Sequence, residues 1–567
     1  MPEAFPRALS ALLEARGITD PAALRLRLSW EAKDLLDQIL SPSSIKGFDR
    51  AVEILLAARE RRETVVVHGD YDVDGMTGTA LLWLSLRRAG LQCGWTLPRR
   101  DGEGYGLSDA SLDRCQRGEG VNGLPEGADP RAKWVVSVDT GVTAGPQISR
   151  ARAKGLGVIV TDHHLPGEGF PTDAEILIDP HQEGCGYPNK GLCGAGLAWK
   201  LGKALLEATG ADAESDPQRL LQLVALGTLA DMVPLTAENI ALVRLGLAEL
   251  HARPLPGIEE LLLNAKIKAD KVPHGQELVF RVTPRLNSAG RMRQGELAIR
   301  LLLSANAEEA RRSMDELESL NLKRQQLDQR ITAEAMAQAQ AQCGPGGIPP
   351  EAFVLSGDTW HEGVSGIVAQ RIAERFGRPV FVLAPDPGQP LEWRGSGRSV
   401  PGTDLHIALS RCAHLLEKWG GHAQAAGLSL RRDKAELFRA EFLRAIEDAR
   451  AGTRGPGPAG ECRADLAEMD AELLGWLEKL EPWGPTNPVP MFWTDSVQIV
   501  SLATVGEGKH MRLSLRQGGH QVDGIGFGLG PEAARLSLGQ TVRVAYQPEW
   551  NEFRGRRQVQ LRIKEIT

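Results

Sequence analysis

Residues Thr64 to Val67 form a β-branched, largely apolar run that leads into His68-Gly-Asp-Tyr-Asp-Val-Asp-Gly75. Such a run reads as a buried strand, and Gly69, Gly75 and Gly78 allow tight turning after it. A helix is expected over 76–89. Asp70, Asp72 and Asp74 alternate, so an extended chain places all three on one face. Three like charges on one face repel unless a cation neutralises them. Strand, acidic loop and helix in this order put the carboxylates at the carboxyl end of the strand, where open α/β sheets bind ligands. A lone Asp-x-Asp would be only a turn. A His with three alternating Asp points instead to a divalent-metal site.

The same grammar continues downstream. Strands are expected at 64–68, 92–97, 134–138, 157–161 and 175–178, with helices at 76–89 and 144–154. That order argues for a mostly parallel sheet covered by helices on both faces. Three later segments carry ligand chemistry: Trp134-Val-Val-Ser-Val-Asp139, Val158-Ile-Val-Thr-Asp162-His163-His164 and Leu226-Gly-Thr-Leu-Ala-Asp231. Parallel strands bring their carboxyl ends together, so Asp72, Asp74, Asp139 and His163 can converge. Asp179 also ends a strand, but its Asp-Pro is equally a turn. Carboxylate and imidazole donors without Cys favour Mn²⁺ or Mg²⁺, with Mn²⁺ preferred. Four Asp and two His are too many for one ion. Two divalent ions with a bridging carboxylate use them all, and two-metal sites hydrolyse phosphoesters.

At 567 residues the chain exceeds one hydrophobic core. Residues 1–45 read as short helices, including Pro6–Ala15 and Pro21–Leu28, and 46–303 as the α/β domain described above. Ser304 to Gln342 contains neither Gly nor Pro and carries the stripe Met314, Leu317, Leu320, Leu327, Ile331. A connecting helix over 304–343, on the order of 55 Å long, is expected there. A second α/β domain spans 350–450, and the Gly/Pro-rich 452–460 is a flexible linker. Five short strands within 461–567 suit a barrel of the oligonucleotide-binding (OB) type.

A net charge of −7 excludes a global basic field, so any nucleic-acid partner must be held by local patches and metals. One such patch is Val542–Glu565, with six basic residues against three acidic ones. Tyr546, Trp550, Arg554 and Arg556 are its candidate single-strand contacts. The competing reading is a hairpin whose aromatics pack inward. The seven cysteines are scattered without a C-x-x-C pair, as reduced thiols are. No run approaches 18 apolar residues, so no membrane partner is expected. The location is expected to be cytoplasmic, with nucleoid association only through DNA.

His68-Gly-Asp-Tyr-Asp-Val-Asp-Gly, Asp139-Thr-Gly, Thr161-Asp-His-His and Leu229-Ala-Asp-Met-Val-Pro resemble the motifs of the DHH phosphoesterase superfamily. From about residue 40 onward the chain resembles its RecJ-type exonuclease family. That match includes Gly194-Ala-Gly-Leu-Ala-Trp-Lys200, Pro284-Arg-Leu-Asn-Ser-Ala-Gly-Arg-Met292 and Trp360-His-Glu-Gly-Val-Ser-Gly366. It continues through Gly395-Ser-Gly-Arg-Ser399 and Gly420-Gly-His-Ala-Gln-Ala-Ala-Gly427. Trp483 and Thr486 depart from it, standing where Phe and Gly are usual.

The resemblance implies a DHH catalytic domain, a DHH-associated domain and a 5′→3′ single-strand DNA exonuclease that releases 5′-mononucleotides in recombination and repair. It places His68, Asp72 and Asp139 around one ion. Asp74, Asp139, His163 and Asp231 surround the other. Asp70, Asp162 and His164 take catalytic or supporting roles, His164 stabilising charge or protonating the leaving oxygen. Ser396, Arg398, Ser399, Gly420, Gly421 and His422 would grip the nucleotide or its 5′-phosphate. Arg285, Asn287 and Arg291 would hold backbone phosphates, with Trp360 and His361 lining the cleft. The implied partners are 5′-phosphorylated single strands, with a single-strand-binding protein and a helicase as further candidates, acting on a monomer. Two competing functions are a phosphodiesterase of short oligonucleotides or cyclic dinucleotides and a catalytically dead replication scaffold. The third domain argues against the former, and the complete ligand set against the latter.

Overall fold

The run Val65–His68 is strand β1 of a computed structural model that describes residues 5–99, 106–167, 170–171, 176–211, 216–449, 460–553 and 556–567. With β2 (Cys93–Thr96), β3 (Trp134–Val138), β4 (Gly157–Thr161) and β5 (Ile176–Ile178) it forms a wholly parallel sheet in the order β2-β1-β3-β4-β5. Helices cover both faces, so every β1 residue is buried and the strand reads as an unbroken apolar run. The chain winds one way from β1 to β2 and the other from β3 onward. The crevice between the carboxyl ends of β1 and β3 is therefore the topological switch point. His68 ends β1, and Asp139, Asp162 and Asp179 directly follow β3, β4 and β5.

The helix that follows β1, Val73–Arg88, starts three residues earlier than the sequence suggests. Asp72 is its N-cap, accepting a hydrogen bond from the Gly75 amide at 2.9 Å, and Asp74 sits in its first turn. The three aspartates therefore do not share an extended face. Local chemistry prevails over alternation, because Asp is a preferred N-cap and a first-turn carboxylate meets the positive end of the helix.

The long helix is present as Ala307–Gln342, capped by Asn306. It belongs to two cores. Ala310, Met314, Leu317 and Leu320 pack into the first domain, whereas Ile331, Ala335 and Ala339 pack into the second. Between these stretches Arg371 of the second domain pairs with the buried Asp328 at 2.9 Å. The helix is thus a shared beam that joins the cores of the two domains.

The second domain is a mixed sheet of β6 (Phe353–Ser356), β7 (Val380–Asp386), β8 (Gln389–Arg398), β9 (Lys418–Gly421) and β10 (Ala425–Arg431), ordered β6-β7-β8-β10-β9. Gly395-Ser-Gly-Arg398, which the resemblance implies grips the nucleotide or its 5′-phosphate, lies inside β8. Its glycines make room for neighbours: a Cβ at Gly395 would fall 2.6 Å from the Leu383 side chain, and one at Gly397 would meet the Phe381 ring.

The third unit contains β11 (Cys462–Arg463), β12 (Phe492–Val505), β13 (His510–Gln517), β14 (His520–Gly526), β15 (Thr541–Phe553) and β16 (Arg556–Ile566). The order β12-β13-β14-β16-β15 closes through β12–β15 pairing into a five-stranded barrel. The N-terminal helices Arg7–Ala15 and Pro21–Leu28 pack onto this barrel unit. Leu9 and Leu12 share one buried cluster with Leu473, Leu477, Phe492 and Leu561. Arg16 adds an ion pair to Glu461 at 2.7 Å. Of the expected linker over 452–460, all but Gly460 lies outside the described residues. Among the described residues, no helix is long and apolar enough to cross a membrane.

Thr486 holds the turn where Gly is usual, at φ 62°. A β-branched residue is strained there. Thr486→Gly is expected to stabilise the barrel unit by about 1 kcal/mol, checked as a rise in its denaturation midpoint.

Candidate metal centre

His163 stands at the centre of the switch-point crevice. Its Nε2 lies 3.0 Å from Asp139 Oδ1, 3.5 Å from Asp231 Oδ2 and 3.8 Å from Asp74 Oδ2. Two ligand sets overlap at this ring: Asp139, His163 and His164, and Asp74, His163 and Asp231. Within each set the donor atoms are no more than 4.8 Å apart. Asp139 and Asp74 are buried. Among the described residues, neither Asp139 oxygen has a hydrogen-bond partner, nor does His163 Nε2. Buried polar atoms without partners are costly. Such oxygen and imidazole donors, converging in one crevice, fit a hard divalent cation.

Each ligand is aimed by its backbone. Asp139 leaves β3 at φ 63°, a left-handed conformation, with its amide bonded to the Thr161 carbonyl at 3.0 Å. Strain at a non-glycine residue of this kind clusters at functional sites. Asp74 is held by the amides of Gly194 and Ala195, at 2.6 and 2.9 Å, where the helix Gly194–Thr209 begins. Asp231 closes the helix Leu221–Asp231. Gly227 on that helix makes the approach possible: a Cβ there would lie 2.5 Å from Asp74 Oδ1 and 2.8 Å from the Ala195 Cβ.

Electrostatics give the same reading. Burial and the charge of Asp72 raise Asp74 to about 6. Burial and the charges of Asp74 and Asp72 raise Asp231 to about 8. Asp139 is pushed well up by burial and then by Asp72, Asp74, Asp231 and Asp70. Burial and then His164 lower His163 to about 4, leaving a neutral imidazole suited to ligation. His164 behaves oppositely. Its Nδ1 lies 2.8 Å from Asp162 Oδ1, and this bond raises it to about 9. Asp162 stays ionised despite its burial because His164 and the Val142 amide bond to it. Asp179 receives the His181 amide at 2.7 Å, as a turn residue does, and burial raises it to about 7.

The structure brings Asp74, Asp139, His163, His164 and Asp231 into these two sets. Asp72 and Asp70 stand beside them, close enough for their charges to act on Asp139. His68 is fully buried at the end of β1. The Gly194 and Ala195 amides and Gly227 were missed as functional residues. Gly194-Ala-Gly and Leu226-Gly were visible as patterns, but no spacing rule assigns amides to a carboxylate more than a hundred positions away.

The phosphate candidates divide. Ser396 and Arg398 lie on the β8 face that looks toward Gly366 of the helix Glu362–Phe376. Arg398 donates to the Gly397 carbonyl at 2.8 Å, and among the described residues no carboxylate pairs with it. Ser399 is tied to the Thr403 carbonyl. Gly420 and Gly421 are the exposed end of β9, paired with Gly427 and Ala426 of β10, with Gly421 at φ 131°, and the exposed His422 opens the turn between the two strands. Arg285 is engaged by Asn264 and Glu318, Arg291 donates to the Gly363 carbonyl, and Asn287 is half-buried. Trp360 is a core residue bonded to Glu334, and His361 caps its helix.

In the barrel the inward-packing alternative holds for Tyr546. It is fully buried, with its hydroxyl 2.8 Å from that of Thr494, so it offers no face to a base. Trp550 lines a cavity of about 500 Å³ between barrel and catalytic domain, whose wall carries six basic residues, among them Lys266, Lys271 and Arg562, and five glutamates. The Arg557 guanidinium lies over the Trp550 ring at 4.0 Å. Arg554 and the Arg556 side chain lie outside the described structure.

Three family models match this architecture: the DHH family N-terminal domain over 64–228, the DHHA1 domain over 350–448 and the RecJ OB domain over 461–565. The single-stranded-DNA-specific exonuclease RecJ of Escherichia coli K12 is 35% identical over 590 residues, covering 100% of this chain and 96% of that protein. The chain belongs to the RecJ family. The Bacillus subtilis RecJ is 32% identical over 562 residues, 98% of this chain and 67% of that protein. The crystal structure of RecJ from Thermus thermophilus in complex with Mn²⁺ has a TM-score of 0.80 at 28% identity, covering 99% of this chain and 76% of that one. Its Mg²⁺ complex has a TM-score of 0.74 at 26% identity, covering 99% and 74%. RecJ structures thus occur with both ions that the donor set selects.

A pH prediction follows for this RecJ-family centre. Asp74 and Asp231 have raised values in the folded chain, near 6 and 8, against 3.8 for a free Asp. The stability that these protonated groups preserve is fully present below about pH 4 and is lost as pH rises through 6 to 8. The melting midpoint of the metal-free protein is expected to fall by several degrees from pH 5 to 8.5. Saturating Mn²⁺ should offset the fall, with a rise in midpoint that grows with pH because binding displaces protons. An Mn²⁺ effect independent of pH in calorimetry would contradict this.

Proposed function

We propose that this chain is a metal-dependent exonuclease specific for single-stranded DNA, acting from the 5′ end and releasing 5′-mononucleotides in recombination and repair. The observation that carries the reading is the cluster at the switch point, where His163 Nε2 meets Asp139, Asp231 and Asp74 within 3.8 Å. The printed activity of the RecJ relatives supports the substrate.

His68, Asp72 and Asp139 would hold one ion, and Asp74, Asp139, His163 and Asp231 the other, with Asp139 shared. When bound, such ions supply Lewis-acid charge to the phosphoryl oxygens and lower the pKa of the attacking water. The protein's own groups do the rest. Asp139 is fixed by its strained backbone, and Asp74 by two amides. His164, kept as an imidazolium by Asp162, stabilises charge on the phosphate or gives its proton to the leaving oxygen. Ser396 and Arg398 would serve as donors to a terminal 5′-phosphate. Trp550 and the barrel's cations hold the trailing strand. A groove that fits one strand rejects duplex by size. The chain acts in this reading as a cytoplasmic monomer, meeting the nucleoid through DNA, with a single-strand-binding protein and a helicase as partners.

The substrate is tested by offering pure protein with Mn²⁺ a long 5′-phosphorylated single strand, the same strand as duplex, and a dinucleotide. Preferential loss of the long single strand is expected. Hydrolysis of the dinucleotide alone would assign a short-oligonucleotide phosphodiesterase, and no hydrolysis at all a scaffold. Arg398→Ala is expected to weaken binding of 5′-phosphorylated ends about tenfold or more while sparing 5′-hydroxyl ends. Equal loss on both, read by titration, would remove the 5′-phosphate role.

A further inference from the structure

Arg244 is the largest fully buried side chain among the described residues, and it stands apart from the groups of the metal centre. It lies on the helix Ala237–Ala252 of the catalytic domain. Its guanidinium reaches out of that domain to four backbone carbonyls. Nε donates to Glu481 at 2.8 Å, Nη1 to Ser29 at 2.7 Å, and Nη2 to Arg27 at 2.9 Å and Lys479 at 2.7 Å. The Trp30 ring lies 4.9 Å from it, and the Trp30 indole N–H bonds to the same Lys479 carbonyl.

These acceptors are not arbitrary. Arg27 is in the last turn of the helix Pro21–Leu28, and Lys479 is the last residue of the helix Ala471–Lys479. Both offer carbonyls that a helix leaves unpaired at its negative end. One guanidinium therefore caps two helices of the barrel unit at once. Burial without a carboxylate salt bridge, beside the like charge of Arg27, lowers Arg244 to about 9. A buried cation is expensive. The barrel unit has its own hydrophobic cluster, to which the catalytic domain contributes nothing. The expense therefore falls at the junction between the two. Around it His274 pairs with Glu481 at 3.0 Å, and the Leu235 amide meets the Pro485 carbonyl at 3.0 Å. His274 and Glu481 also line the cavity that holds Lys266, Lys271 and Trp550.

We propose that Arg244 is a positioning residue that fixes the barrel unit against the catalytic domain and thereby sets the width of the mixed-charge cleft between them, lined by Trp550 and by cations of both units, through which a single strand is guided to the metal centre. This rests on the single-strand reading above. Arginine is required because its planar fork points donors at several carbonyls in one plane, whereas a lysine ammonium is a point donor on a flexible stem.

The test uses full-length R244K. Its kcat on an oligonucleotide too short to reach the barrel is expected to stay within about twofold of wild type, while KM for a long single strand rises about tenfold. The distance between fluorescent probes on the catalytic domain and the barrel should broaden in parallel. Equal losses on short and long substrates, or an unchanged KM for the long one, would overturn the proposal. If R244K is unfolded at the assay temperature, Trp30→Leu, which removes the ring over the guanidinium and the indole bond to the shared Lys479 carbonyl while leaving Arg244 itself, is expected to give the same split and is overturned by the same results. The probe distance is independent of substrate. An unchanged distribution refutes the positioning role even if the chain degrades single strands, and a wild type with no preference for long strands refutes the single-strand reading instead.

Discussion

Asp139→Asn is expected to reduce hydrolysis by roughly three orders of magnitude or more while leaving the fold in place. The carboxylate is buried, both its oxygens lack hydrogen bonds, and it lies 3.0 Å from the central ring of His163. It is the one group assigned to both ions, so its loss disables both. Asn is the informative replacement because φ at this position is 63°. Asn tolerates the left-handed region better than Ala, so the backbone is not the variable. The substitution also removes one of several crowded negative charges. The metal-free variant should therefore melt at or above the wild-type temperature, and Mn²⁺ should no longer raise its midpoint. Turnover retained in the variant would rule out the shared position.

Gly227→Ala is expected to have the second-largest effect although it changes no ligand. The added methyl would lie 2.5 Å from Asp74 Oδ1, 2.8 Å from the Ala195 Cβ and 2.9 Å from Thr77 Oγ1. It would press three helices apart where Val73–Arg88, Gly194–Thr209 and Leu221–Asp231 cross, and two of these carry Asp74 and Asp231. Overpacking of this kind costs about 1–3 kcal/mol. A displacement of about 1 Å at a catalytic group costs on the order of 100-fold in rate. Stability and activity should fall together, and Mn²⁺ affinity should weaken in titration. An active variant with normal affinity would show that the crossing can relax without moving Asp74.

The strands of the catalytic sheet were legible because a parallel strand covered on both faces leaves an unbroken β-branched run, as in Val65–His68 and Val158–Thr161. The carboxylates were legible for the same reason, since they follow directly where those runs stop. The face-sharing of Asp70, Asp72 and Asp74 was misread because a capping preference begins the helix before an extended segment can form. The strand at Gly395–Arg398 carries no β-branched run to announce it, because its glycine hydrogens face Leu383 and Phe381 where a side chain would not fit. Tyr546 shows that an aromatic beside cations is not thereby exposed. It packs into the barrel against Thr494, while Trp550, four residues along the same strand, reaches the cavity at the seam. The joining of the N-terminal helices to the barrel, and the role of Arg244 between them, rest on contacts spanning more than two hundred residues. No local pattern encodes them.

The central claim is tested most directly by a time course on single strands labelled at one end or the other, with Mn²⁺ and pure full-length protein. Label at the 5′ end should appear from the first time points as a mononucleotide, while label at the 3′ end passes through progressively shortened strands and the matching duplex stays intact. Early release of the 3′ label, or equal degradation of the duplex, would contradict the account.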